Sequence, residues 1–177
     1  MKKLMVLALF AGGMWSCSQP KPEEAAPVET KPQPVEFSDA SYTDLCKQTL
    51  VSLTNKDPDA YVSNMADNAI YRFNNGDSIA GKPAITDYWN DRITNVIDEI
   101  SFSDEVWLSL KVNETTQGIR PGNWVLGWYR VMATYTKGQS MTQNIHTIYH
   151  FDASGKIDEV IQYLDRAPII AAMPKTK

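Results

Sequence analysis

The 177-residue sequence predicts an α+β domain, and three observations point that way. Apolar residues recur at helical spacing over residues 41–54 and 83–97. Four later stretches, 101–113, 123–136, 140–152 and 156–165, are instead rich in Val, Ile, Thr and aromatic residues, the composition of strands. Turn pairs, Lys137-Gly138 and Ser154-Gly155, separate the last three of these, as in consecutive hairpins. Helices followed by hairpin-connected strands fit helices packed on one face of a curved antiparallel sheet.

The chain opens on an export signal. Lys2 and Lys3 precede a charge-free run from Leu4 to Trp15, too short for a transmembrane helix, which needs roughly 20 residues, and suited to a signal peptide over residues 1–16. Its end, Met14-Trp15-Ser16-Cys17, resembles a bacterial lipobox, which implies cleavage before Cys17 and acylation of that cysteine. Ser18 in the next position resembles the pattern of lipoproteins sorted to the outer membrane of Gram-negative cells. The expectation is a lipid-anchored protein of the cell envelope, touching the membrane only through its anchor. The other cysteine, Cys46, lies on an apolar helical stripe, where a free thiol behaves as a small apolar residue.

Residues 17–37 then form a tether. From Ser18 to Phe37 the chain holds five of its ten prolines and four glutamates, a composition that buries too little surface to offset the entropy of ordering. Extended at about 3.1 Å per residue, it reaches roughly 60 Å. Residues 38–166 are enough for one domain with a sizeable core, and 167–177 read as a flexible tail. Without Lys2 and Lys3, 15 basic residues face 21 acidic ones. No basic stripe appears, so nucleic acid is a poor partner.

Within the domain, Tyr42, Leu45, Cys46, Thr49, Leu50 and Leu53 line one face of the first helix. Asp57-Pro58 starts a short second helix running to about Met65. Ala69–Asn74 is a short strand, and Pro83–Ile97 a third helix with Ile85, Trp89, Ile93, Val96 and Ile97 on one face. Between strand and helix, Gly76, Gly81 and Lys82 have the spacing of a phosphate loop, but Pro83 stands where a hydroxyl should meet Mg²⁺. With hairpins after it rather than parallel strands, the segment is a turn leading into a helix whose first turn suits proline. No cofactor is expected.

The strings "NKDPDAYVSNMADNAIYRFNNGDSIAGKPAITDYW" and "HTIYHFDASGKIDEVIQYLD" resemble the nuclear transport factor 2 superfamily, and within it SnoaL-like and ketosteroid-isomerase-like domains. The resemblance covers residues 41–166. It implies a cone: a strongly bent antiparallel sheet wrapped around three N-terminal helices, with a pocket at the open end and, in many members, pairing through the outer sheet face. Ketosteroid isomerases use an aspartate base, and a tyrosine with a protonated aspartic acid as oxyanion hole. Those positions fall here on Phe73, Thr49 and Thr147. Phe has no proton to exchange and Thr is far too weak an acid, so isomerase chemistry is not expected, and no catalytic residue is assigned.

Strand alternation divides 123–136 into two faces, both apolar and so both covered. Trp124, Trp128 and Arg130, with Leu126, Met132 and Thr134, are assigned to the pocket. Tyr129, Val131 and Tyr135 are assigned to a homodimer face. Tyr71, Phe73, Trp89, Tyr149 and Leu164 should complete an aromatic pocket, with Thr49, Met65 and Thr147 beside them. Arg130 would be its one charge, awaiting an anionic group. These residues could equally fill a closed core. His146 and His150 share a strand face without a further ligand nearby, so no metal is expected. Asp104-Glu105 reads as charge on a strand edge, and Asn113-Glu114-Thr115 as an unused sequon. Three functions stay open: binding of a small apolar or aromatic ligand, a SnoaL-like enzyme of isomerase, cyclase or hydratase type with a non-standard acid/base pair from Arg130, Tyr71 or Tyr149, and an interaction module assembling through the outer sheet face.

Overall fold

The computed structural model describes residues 33–174. The predicted signal peptide, Cys17 and most of the tether lie outside them, as do the last three residues. Helix α1 (Ala40–Thr54) starts where the Asp39 carboxylate accepts from the Ser41 N–H at 2.8 Å. Capping of this kind satisfies one of the donors a helix start leaves open. The predicted stripe faces inward, with Cys46, Thr49, Leu50 and Leu53 buried. Helix α2 (Pro58–Val62) begins the same way, Asp57 accepting from the Ala60 N–H at 2.9 Å, and buries Tyr61 and Val62.

Strands β2 (Met65–Phe73) and β3 (Ser78–Ala80) form a hairpin through the Asn74–Asp77 turn, then α3 (Lys82–Asp91) follows. This settles the near-phosphate loop. Gly81, with φ +89°, caps α3 in a conformation costly for any residue with a Cβ, and Pro83 lies in its first turn. Gly76 belongs to the β2–β3 turn. The third helix is shorter than predicted: Arg92–Val96 is one π-helical turn, and Ile97 already starts a strand. Isoleucine and valine suit either structure, so the apolar spacing continued past the helix's end.

Four strands complete a seven-stranded sheet: β4 (Ile97–Val112), β5 (Gly122–Tyr135), β6 (Ser140–Phe151) and β7 (Ile157–Tyr163). Its order is β1-β4-β5-β6-β7-β2-β3, where β1 is Val35–Phe37. The architecture is α+β with a strongly curved sheet. It is mixed rather than purely antiparallel, because β2 and β7 pair in parallel, Tyr71 opposite Val160 and Phe73 opposite Gln162. β3, α3 and β4 to β6 lie between these two strands in sequence, so they can run in parallel without a local crossover.

Two more boundaries differ from expectation. The tether's last residues pair with the sheet, Val35 opposite Val112 and Phe37 opposite Leu110. The expected tail contains a helix, α4 (Arg166–Ala172), capped by Asp165, which accepts from the Ala167 N–H at 2.8 Å. Helix α4 docks on the β5–β6 turn, where the Gln139 N–H donates to the Ala172 carbonyl at 2.8 Å. A Cβ on Gly138 would fall 2.3 Å from that carbonyl oxygen, so only glycine admits the helix so close.

Asp104-Glu105 occupies a β-bulge between Ser103 and Val106, with Asp104 at φ +52°. A bulge adds a residue to one strand and sharpens its bend. It precedes the stretch of β4, Leu110–Val112, that pairs with β1.

Candidate functional site

The inner face of the sheet and the helices enclose a cavity of about 310 Å³, near the small end of ligand pockets, roughly 300–1,000 Å³. Its deep part is lined by Leu50, Leu53, Tyr61, Tyr71, Trp89 and Tyr149, all buried. Its mouth carries the exposed Asn74, Asp77, Arg166 and Ile170, with the half-buried Arg92 and Leu164. Ile169, Ile170 and Met173, on or just after α4, close part of that mouth.

Behind the deep walls lies a set of neutral hydroxyls. Thr49 Oγ1 donates to the Cys46 carbonyl at 2.6 Å and lies 3.3 Å from the Tyr149 hydroxyl. With its proton committed, it can only accept from Tyr149. The Tyr129 hydroxyl meets Thr147 Oγ1 at 2.8 Å. Burial pushes the Tyr129 hydroxyl up to about 12, against the opposing pull of hydrogen bonds from Thr147 and Tyr149. Burial likewise raises Tyr61, Tyr71 and Tyr149, and the Cys46 thiol. All therefore keep their protons at neutral pH. The indole Nε1 of Trp89 is buried in this wall and has no hydrogen-bond partner among the described residues. Among the described lining residues, the carboxylate is Asp77, at the mouth and 3.5 Å from Arg166.

The structure brings five of the sequence-predicted pocket residues, Tyr71, Phe73, Trp89, Tyr149 and Leu164, to the cavity surface. Thr49, Met65 and Thr147 are buried in the surrounding core. The positions matching the isomerase machinery do not converge on an acid and a base. Phe73 packs on Tyr71 with ring centroids 4.9 Å apart, while Thr49 and Thr147 hold tyrosine hydroxyls.

The two faces of β5 are the reverse of the predicted assignment. Tyr129, Val131 and Tyr135, expected at a dimer face, are buried inside and line the cavity. Trp124, Trp128 and Arg130, expected in the pocket, lie on the outer face. Trp128 is 40% exposed and stacks on His146, whose other side stacks on Tyr163. Trp124 packs edge-on to His150 and donates to the Arg120 carbonyl at 3.0 Å. Arg130 pairs with Asp104 at 2.8 Å, both side chains more than half exposed. A buried guanidinium needs a partner that the inner wall does not supply, so the face with Arg130 turns to water.

Size also decides. The inner face alternates Tyr and Val with Gly127 and Ala133, and the Trp107 ring fills the space over Gly127. A Cβ at Gly127 would lie 2.4 Å from that ring. Trp107 in turn stacks on Tyr129 at 5.7 Å. The concave side of a bent sheet has room for this pattern and not for Trp124, Trp128, Arg130 and Met132 together.

His146 and His150 are far from a metal arrangement. His150, nearly fully buried, has Nδ1 on Asp158 Oδ1 at 2.5 Å and Nε2 on the Pro121 carbonyl at 3.1 Å. Asp158 also takes both amino nitrogens of Arg120. Among the described residues, no group of three potential ligands is placed to hold a metal ion.

Sequence reasoning missed Tyr61, Tyr88, Arg92 and Trp107, and the whole of α4. The helix had a legible signal, since Asp165 before Arg-Ala-Pro-Ile-Ile is a capping residue before an apolar stretch.

No protein-family model and no curated protein matches the sequence. Solved structures do match in shape. An NTF2-like protein of unknown function from Burkholderia pseudomallei K96243 superposes with a TM-score of 0.62 at 12% identity, over 77% of this chain and 100% of that one. A candidate polyketide cyclase from Xanthomonas campestris pv. campestris gives 0.58 at 16% identity, over 74% and 95%. An LEH-like epoxide hydrolase from M. tuberculosis gives 0.54 at 13% identity, over 76% and 90%. With the curved sheet wrapped around its helices and a cavity inside, the chain has the NTF2-like, ketosteroid-isomerase-like cone fold.

Proposed function

We propose that this domain binds a small ligand with an apolar or aromatic body inside the cone, without transforming it. One observation carries the reading: the cavity is walled deep inside by aromatic side chains whose hydroxyls burial holds in the neutral form. Such walls favour an apolar body through the hydrophobic effect, worth about 25 cal/mol per Å² removed from water. They offer no group that gains or loses a proton near neutral pH, which acid–base catalysis requires. The enzyme reading would need Asp77 to act from the exposed mouth, already beside Arg166.

The test uses decanol as an uncharged apolar probe. Binding should quench or shift tryptophan fluorescence, since Trp89 lines the cavity. Val131→Phe, which puts a larger side chain into the cavity, should abolish binding while the protein still melts cooperatively. Trp128→Ala, on the outer face, should leave binding unchanged. Binding that survives Val131→Phe and fails in Trp128→Ala would refute the cavity reading.

Anchoring and assembly belong to the same proposal. Acylated Cys17 would hold the domain at the envelope, and Cys17→Ser should move the protein from the detergent phase to the aqueous phase. A mutant that stays in the detergent phase would rule this out. Self-association through the sheet would use the outer face, where Trp128, Met132 and Val106 are exposed, since Tyr129, Val131 and Tyr135 are enclosed. Light scattering showing a monomer at high micromolar concentration would exclude it.

A further inference from the structure

Arg92 is left without a role if the guest is purely apolar. The sequence has five arginines. Arg72 pairs with Glu159, Arg120 with Asp158 and Glu159, Arg130 with Asp104, and Arg166 with Asp77. Among the described residues Arg92 has no carboxylate partner, although it lines the cavity and is half-buried. Partly desolvated charge of this kind is costly unless something answers it.

Its surroundings hold the guanidinium in place without neutralising it. The guanidinium carbon stands 5.6 Å from the centroid of the Tyr88 ring, within range of a cation–π contact. It also lies by the Tyr135 hydroxyl, whose proton it draws on while burial holds it. Arg92 opens the π-helical turn that ends α3, and turns of this kind, which wind one extra residue, are frequent at functional sites. Arg166 lines the same cavity. The mouth therefore carries two guanidiniums, Arg92 and Arg166, against the single carboxylate of Asp77. Gln162 adds a neutral polar group. It lines the cavity at 9% exposure.

We infer that the ligand is an amphipathic monoanion, an apolar body with one acidic head such as a carboxylate, and that Arg92 holds the head at the mouth while the body lies against the aromatic walls. This rests on the reading of the cavity as a binding site. Arg166 is already answered by Asp77, so one negative charge completes the mouth. A second negative charge would face Asp77, and a cationic head would face Arg92.

Calorimetry with decanoate and decanol separates recognition of the head from filling of the cavity. Both probes share the chain, and only decanoate has the head. The wild-type protein should bind decanoate at least about tenfold more tightly than decanol, the lower end of what a hydrogen bond to a charged group contributes. Arg92→Gln should bring decanoate down to the affinity of decanol and leave decanol unchanged. Unchanged decanol binding also shows that the variant is folded. Should Arg92→Gln not fold, Arg92→Lys, which keeps the charge, should retain a preference for decanoate, and a loss of preference there counts against the inference. Equal affinity for the two probes in the wild type, or decanoate binding indifferent to Arg92→Gln, would overturn the monoanion while leaving the cavity in place. Failure of both probes to bind would overturn the cavity reading and this inference with it.

Discussion

Two faces of one strand teach more about this molecule than any other pair of regions. In β5, Val125, Tyr129, Val131, Ala133 and Tyr135 look inward and are buried, while Trp124, Trp128, Arg130 and Met132 look outward. By composition the outer set is the bulkier. Hydrophobicity alone therefore does not say which face is the interior. The decision falls to one charge, Arg130, and to two small residues, Gly127 and Ala133. The charge must reach water, and Gly127 leaves room for the Trp107 ring on the concave side.

The largest expected effect comes from a carboxylate placed on either side of this division. Val131→Asp puts a charge at a position 5% exposed and should cost upwards of about 4 kcal/mol, enough to unfold many domains. Met132→Asp, one residue on and 51% exposed, should stay within about 0.5 kcal/mol. Chemical denaturation of both variants measures the contrast, and similar losses would break the comparison.

Alkaline pH probes the inner face as a whole. Below about pH 10 its tyrosines are neutral both folded and unfolded, and stability is full. Above that the unfolded chain gives up the Tyr129 proton while the fold retains it until about 12. Stability should thus fall as pH rises through that window, by roughly 2–3 kcal/mol for Tyr129 alone, with Tyr61, Tyr71 and Tyr149 adding in the same direction. Ultraviolet titration should show these tyrosines ionising together with unfolding. Smooth ionisation in a still-folded protein would contradict their burial.

A smaller loss follows from Gly127→Ala, whose Cβ must push the Trp107 ring off its stack with Tyr129. Overpacking of this size costs about 1–3 kcal/mol, visible as a lowered melting temperature. No change would mean the Trp107 ring does not sit over Gly127. The smallest effect is expected outside. Arg130→Leu removes an exposed ion pair, worth about 0–1 kcal/mol, and should leave ligand binding untouched.

Much of the fold was legible because it rests on local rules. The stripe Cys46, Thr49, Leu50 and Leu53, the Asp57-Pro58 start of α2, and the hairpin turns at Lys137-Gly138 and Ser154-Gly155 all follow from spacing and turn chemistry. The parallel pairing of β2 with β7 was not, since it joins residues far apart in sequence. The site was half legible. Tyr71, Phe73, Trp89, Tyr149 and Leu164 come from elements whose inner side was clear, whereas the two apolar sets of β5 gave opposite answers of equal hydrophobic merit. Arg92 stayed hidden because its place depends on the π-helical turn, which interrupts the periodicity by which a helix face is read.

The most direct test of the inner face as the binding face is a set of intermolecular nuclear Overhauser effects between the decanoate chain and methyl groups of the protein. Contacts to Val131, Ala133 and Ile145, with none to Met132, are the result expected of a ligand inside the cone. Contacts to Met132 with silence from Val131 and Ala133 would put the ligand on the outer sheet face and contradict the account.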